Sequence, residues 1–230
     1  MTLEELTNDF RVMTGDLRRA IGGNAEETYL FKTPDVVRWL VEAEQEACIR
    51  GRLLHESSNE SVCEVSVDAG VSAYDLHPAL YEIDHLGLLE AGSTERCPVK
   101  LVSREWLDES MPGWRDRTDT PRFAIQSDTS IRLVPTPRLG ATLKLEGYRL
   151  PLRGLTADKS SKPEINPAHH RHLVHWALYR AFSIPDSETL DLGRADAALA
   201  AFTAYFGENP DSDLRRATRH DVVQHNKAWV

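Results

Sequence analysis

Cysteine is scarce: three residues in 230, at positions 48, 63 and 97, odd in number and without a CxxC pair. That count excludes a disulfide framework, offers no paired thiolates for zinc, and fits folding in a reducing cytoplasm. Glycine forms no phosphate-cradling loop, since Gly22-Gly23 and Gly113 stand apart, and no GxSxG elbow occurs. No stretch approaches the roughly 18–20 consecutive apolar residues of a bilayer span. The polar, acidic start MTLEELTNDF is not a signal peptide. Basic residues are also outnumbered, 27 Lys and Arg against 36 Asp and Glu, for a formal charge of −9. Tight nucleic-acid binding needs cations that neutralise phosphates, so this chain is a poor grip for DNA or RNA.

What is present is 41% apolar and 27% charged residues, enough for a sizeable core in one large domain or two small ones. The first segment, Thr2 to about Arg19, reads as a helix. Thr2 and Glu5 have capping-box spacing, Leu3, Leu6, Phe10, Met13 and Leu17 form one apolar stripe, and Gly22-Gly23-Asn24 breaks it. A second helix runs from Thr33-Pro34-Asp35 to about Leu54, with Thr33 as N-cap and Pro34 in the first turn. Val36, Val37, Leu40, Ala43, Ala47 and Cys48 make its buried face, where Cys48 serves as a small apolar group.

From Val62 to Leu150 the period shortens. Val65 and Val67 alternate with polar residues, Asp68-Ala69-Gly70 reads as a turn, and Ser72–Leu76 is expected to pair back on the preceding strand. Tyr81–Leu86 and Thr142–Tyr148 read as strands, and Phe123/Ile125 with Ile131/Leu133 flank a polar hairpin turn. Pro135 and Pro137 belong at an edge, and Ser103 caps a short helix through Glu109. Beyond a Lys-, Ser- and Asp-rich loop that ends at Pro163, Asn166-Pro167 opens a third helix. Pro185-Asp186-Ser187 separates it from a fourth, striped with Leu190, Ala195, Ala198, Leu199, Phe202, Tyr205 and Phe206 and closed by Gly207. Residues 208–230 read as an extended tail.

The most tempting chemistry is His169-His170-Arg171-His172 followed by His175. Histidines three apart share a helix face and can hold a metal. Yet no carboxylate lies within the run, there is no HExxH, and His170 is rotated away from His169 and His172, which favours interface or satisfied core histidines. No nucleophile–base pair and no cofactor motif emerges, so neither a catalytic nor a metal site is expected. Trp106, Met111-Pro112-Gly113-Trp114 and Thr120-Pro121-Arg122 are open to two readings. Either the tryptophans plug a small β-domain, or a proline-framed loop around Trp114 and Pro121 presents aromatics to a partner.

The order of these segments is itself informative. Val36–Arg52 (VVRWLVEAEQEACIRGR) is followed by Tyr74-Asp75-Leu76, Val102-Ser103-Arg104-Glu105, Pro112-Gly113-Trp114-Arg115 and Thr120-Pro121-Arg122. Val134-Pro135-Thr136-Pro137, Tyr148-Arg149-Leu150-Pro151-Leu152 and His172–Ala181 complete the series. Across Thr2 to Gly207 it resembles the head-to-tail adaptor (connector) proteins of tailed bacteriophages, especially the podovirus type.

That resemblance implies a structural virion protein at the neck, made in the host cytoplasm: a homo-oligomeric ring of about twelve copies beneath the portal protein. The ring would link the portal to tail nozzle or fibre proteins. Twelve copies at −9 each carry about −108, a wall along which DNA slides without specific binding. The tail would dock on the portal through Arg215, Arg216 and Arg219. The expected fold is α+β: an antiparallel bundle of about four helices (1–60 and 152–207) with an inserted antiparallel β-rich domain (61–151) and an extended tail (208–230). The competing readings are a stopper-type neck or tail-completion protein and a metal-dependent enzyme built on His169–His175.

Overall fold

A capping box starts the first helix of the computed structural model, which describes residues 1–19, 29–186 and 188–210. In α1 (Leu3–Thr14) the Thr2 hydroxyl accepts the Glu5 N–H, and the Glu5 carboxylate accepts the Thr2 N–H at 2.9 Å. The helix does not run on to Arg19. Gly15 takes the left-handed conformation (φ 79°) and its N–H reaches the carbonyls of Arg11 and Val12, closing α1. The chain then makes one separate turn, Asp16–Arg19. The expected stripe therefore splits: Leu3, Leu6 and Phe10 are buried, while Met13 and Leu17 are exposed. The Gly22-Gly23-Asn24 break lies outside the described residues.

Helix α2 (Thr33–Gly51) has Lys32, not Thr33, at its N-cap, and no side chain caps it. The Thr33 hydroxyl is taken instead by Arg11, whose Nη2 donates to it at 2.7 Å. Arg52 in the left-handed region (φ 49°) ends the helix short of Leu54. Val36, Leu40, Ala43, Ala47 and Cys48 are fully buried, as their spacing requires, and they share the interior with Trp39 and Glu44.

The chain next enters the second of two compact units: Met1–Leu54 with Leu150–Asn209 form the first, and the second takes in His55–Arg149. Its larger sheet is built on β11 (Ala141–Arg149), which pairs antiparallel with β1 (His55–Glu56), β2 (Glu64–Val67) and β4 (Leu80–Glu90); β5 (Cys97–Pro98) adds to β4. The smaller has the order β3 (Ala73–Asp75), β9 (Ser130–Val134), β8 (Phe123–Gln126), β6 (Lys100–Leu101). The β8–β9 hairpin is as expected, with Phe123 opposite Val134. The expected β2–β3 pairing is not formed. Their turn carries the chain from one sheet to the other, so β2 pairs with β11 and β3 with β9. Short parallel pairs, β6–β8 and β7 (Thr118–Asp119) with β10 (Thr136–Pro137), fall at the margins.

Strand β11 alternates buried and half-buried along its length, the signature of a strand with one face on a core. That face, Ala141, Leu143 and Leu145, meets Leu86 and Leu88 of β4 and Ile131 and Leu133 of β9 in one apolar cluster. Gly147 sits where the register shifts against β4; a Cβ there would meet the Glu82 carbonyl at 2.1 Å, so only glycine permits the approach. A helix, α3 (Arg104–Ser110), is capped by Ser103, whose hydroxyl accepts the Trp106 N–H at 3.1 Å.

Back in the first unit, Asn166 accepts the Ala168 N–H at 2.9 Å and Pro167 follows it, opening a 3-10 segment (Pro167–His172) that leads into α4 (Leu173–Phe182). Helix α5 (Leu192–Phe206) is capped by Asp191 and closed at Gly207, whose N–H donates to the Thr203 carbonyl at 2.8 Å. Ala195, Ala198, Phe202 and Phe206 are buried, whereas Leu190 and Tyr205 of the expected stripe are exposed. The helices meet through Leu6, Phe10, Phe31, Trp39, Val174 and Phe182. Burial of such side chains contributes about 1.5–3 kcal/mol each. The fold is mixed α+β, with largely antiparallel sheets.

Candidate functional site

The loop around Trp114 resolves its two readings at the level of packing. Trp114 is 3% exposed and lies in a cluster with Val102, Leu107, Ile125 and Val134. Its indole Nε1–H donates to Asp108 of α3 at 2.8 Å, and the same carboxylate receives Arg115 at 2.5 Å. The guanidinium of Arg115 lies 4.4 Å from the Trp114 ring centroid and that of Arg132 5.2 Å, so the indole is gripped by two cations. Asp108 is held below the usual carboxylate range, first by Arg115 and then by the indole N–H. Pro121 is buried too. Neither side chain is offered to solvent; the loop's outer surface is made by Pro112, Gly113, Arg115, Asp116 and Arg117.

Beside this loop the structure forms a groove that the sequence did not announce. It holds about 560 Å³ and is lined by Leu86, Val99, Leu101, Val102, Trp106 and Phe123, with Asp84, His85 and Lys100 also on its wall. Trp106 and Phe123 stand with ring centroids 5.1 Å apart.

In the helical unit, exposed apolar side chains include Val12, Met13 and Leu17 from one stretch and Leu190 and Leu192 from a distant one. Arg194 ties the stretches together, its Nη2 donating to the Met13 carbonyl at 3.0 Å while its guanidinium covers Phe182. The signal for this patch lay in the residues that overran the helix stripes.

The histidine run is distributed over several partners. His170 is buried, its Nε2 2.9 Å from the Ile165 carbonyl and its Nδ1 2.8 Å from the Met1 amino group. His172 stacks on Tyr205 (3.5 Å, 11°), and the Tyr205 hydroxyl lies 3.1 Å from His169 Nδ1. Among the described residues, no three His, Cys, Asp or Glu side chains converge as metal ligands. Arg215, Arg216 and Arg219 lie outside the described residues. No helix among those described is long and apolar enough to cross a membrane.

A scan against protein-family models matches residues 1–224 to the family described as SU10 adaptor protein. A search of curated proteins finds no match.

Proposed function

The chain belongs to the SU10 adaptor family, structural adaptors of bacteriophages and not enzymes, and from that membership we propose that it forms the ring joining portal to tail. Membership implies a place at the virion neck and contact with portal and tail proteins. The observation that carries the reading is a family match that runs through helical unit, β-rich unit and the chain beyond them without a break.

In this reading α1, α2, α4 and α5 form a four-helix body, and about twelve such bodies surround the DNA channel of a podovirus-type neck. Residues 1–60 and 152–207 make the ring, 61–151 an outward module for nozzle or fibre proteins, and 208–230 an arm that docks an acidic portal groove through Arg215, Arg216 and Arg219. The exposed apolar side chains of Val12, Met13, Leu17, Leu190 and Leu192 support assembly, because such surface is covered in contact regions. The charge of −9 supports a channel wall that repels DNA. In the outward module, the groove at Trp106 and Phe123 and the exposed Arg115 and Arg117 beside buried Trp114 are the partner-facing surface.

Light scattering after size exclusion, on the chain alone and mixed with its portal, tests the proposal. A ring-sized species with portal is the expected result. A chain that stays monomeric and ignores portal overturns it.

A further inference from the structure

The histidine cluster at the start of α4 has no part in the function argued above, yet its surroundings are specific. The carbonyl of Ile165 can only accept, so the proton of neutral His170 sits on Nε2 and Nδ1 is left to accept from the Met1 amino group. Nδ1 is thereby committed to the neutral form, since it can accept from Met1 only while unprotonated, in a side chain 2% exposed. Two more imidazoles follow at His172 and His175, ring centroids 5.9 Å apart, with His172 flat on Tyr205. All lie at the N-terminal end of α4, where the helix dipole is positive and disfavours a cation.

Charged and titratable groups from three segments surround them. The N-terminal segment contributes the Met1 amino group, against His170. Helix α5 contributes the Tyr205 phenol, against His169 and His172. Arg171 lies within the run and is 3.8 Å from Asp9 of α1. Among the described residues no carboxylate lies within ion-pair distance of His169, His170, His172 or His175. Protonation would gather cations with no carboxylate paired to any of these imidazoles.

We propose that the Pro167–His175 segment is an acid-sensitive switch: neutral histidines lock the N-terminal segment and α5 onto α4, and their protonation releases both. Burial is the first cause that holds His170, His172 and His175 below the usual histidine value, with neighbouring positive charge adding to it for each. A folded value below the unfolded one means that the stabilisation is complete above pH 6.5 and is lost as pH falls below it. Separately from the histidines, the chain start bonds to the loop before Pro163, Leu3 N–H to the Ser161 carbonyl and Glu4 N–H to that of Lys159.

The test is hydrogen exchange of the full chain at pH 7.5 and 5.5, corrected for intrinsic rates, read in residues 2–6 and 165–180 against β11 as internal control. At pH 5.5 a free histidine is about ten-to-one protonated, so each fully locked imidazole raises local opening by up to about tenfold. His172→Phe keeps a ring against Tyr205 without titrating, and His170→Gln removes the buried titration; each is expected to flatten the pH response of the segment. Carbon-detected NMR titration of the histidines supplies a second reading that needs no variant. Histidines 170, 172 and 175 titrating at or above 6.5, or a pH response unchanged in both variants, would overturn the proposal.

Discussion

Arg11 and Asp16 form an ion pair at 3.2 Å with their side chains 3% and 0% exposed. The pair organises the chain around it. Arg11 also donates to the Phe31 carbonyl and to Thr33, and its guanidinium lies 3.3 Å from the Tyr29 ring centroid. Asp16 accepts the N–H groups of Leu30 and Phe31 at 2.9 and 3.2 Å. One buried pair thus fixes how the chain after α1 rejoins the start of α2.

Removal of one partner breaks the ion pair while the other charge stays buried. Asp16→Ala is expected to cost about 3–5 kcal/mol in urea unfolding. The double replacement of Arg11 and Asp16 by apolar residues should cost less than the two single changes together, and a strictly additive double mutant would contradict this account.

Glu44 is another buried charge, 1% exposed on α2. It accepts the Leu155 N–H at 2.8 Å and the Glu164 N–H at 2.6 Å, and so holds the chain returning from the β-rich unit. Burial, opposed by these bonds, raises its pKa, so its ionised form is tolerated rather than favoured. Its contribution is largest below the unfolded value of 4.5 and declines as pH rises through the folded one. Glu44→Ala orphans two buried N–H groups and should cost about 2–4 kcal/mol. Gly154→Ala, which sets a Cβ 2.5 Å from the Glu44 carboxylate, should loosen the same segment. Protease cleavage between residues 152 and 165 is the direct measure.

Glu56 behaves in the opposite sense. Its carboxylate accepts the N–H groups of Ser57, Ser58 and Asn59 and meets Arg149 at 3.1 Å. Hydrogen bonding from Ser58 leads the causes that lower its pKa to about 2. The stabilisation is present above the unfolded value of 4.5 and is lost as pH falls towards 2. A loss of about 2 kcal/mol is expected as pH falls from 5 to 2, absent in Glu56→Gln. Equal acid sensitivity in both proteins would refute it.

Trp114 tests which part of its loop meets a partner. Trp114→Ala should cost about 3–5 kcal/mol by emptying its cluster. Arg117→Ala should leave stability within about 0.5 kcal/mol and weaken binding to tail proteins. Calorimetric melting with a pull-down of the tail complex separates the two effects, and the reverse pattern would return the contact to the indole.

The helices of the chain were legible because their determinants are local. The Thr2–Glu5 box, Asn166-Pro167 and the Gly207 cap act within four residues, and the stripes of α2 and β11 report one buried face each. Helix ends were less so, since Gly15 stops α1 by a single φ value while the apolar spacing continues to Leu17. Segment order also pointed to an adaptor, which the family match bears out.

Tertiary structure alone decided what depends on residues far apart in the chain. The pattern of Val65 and Val67 marks a strand but cannot say whether Ser72–Leu76 or Ala141–Arg149 pairs with it, because either partner satisfies the same alternation. Nor does it show that Thr33 serves Arg11 instead of its own helix, that Glu44 is buried against residues 111 and 120 positions away, or that Trp114 faces inward between two arginines. Local preference is worth tenths of a kcal/mol to about one per residue. Burial of a tryptophan or satisfaction of a buried charge is worth several, so where the two compete the long-range contact prevails.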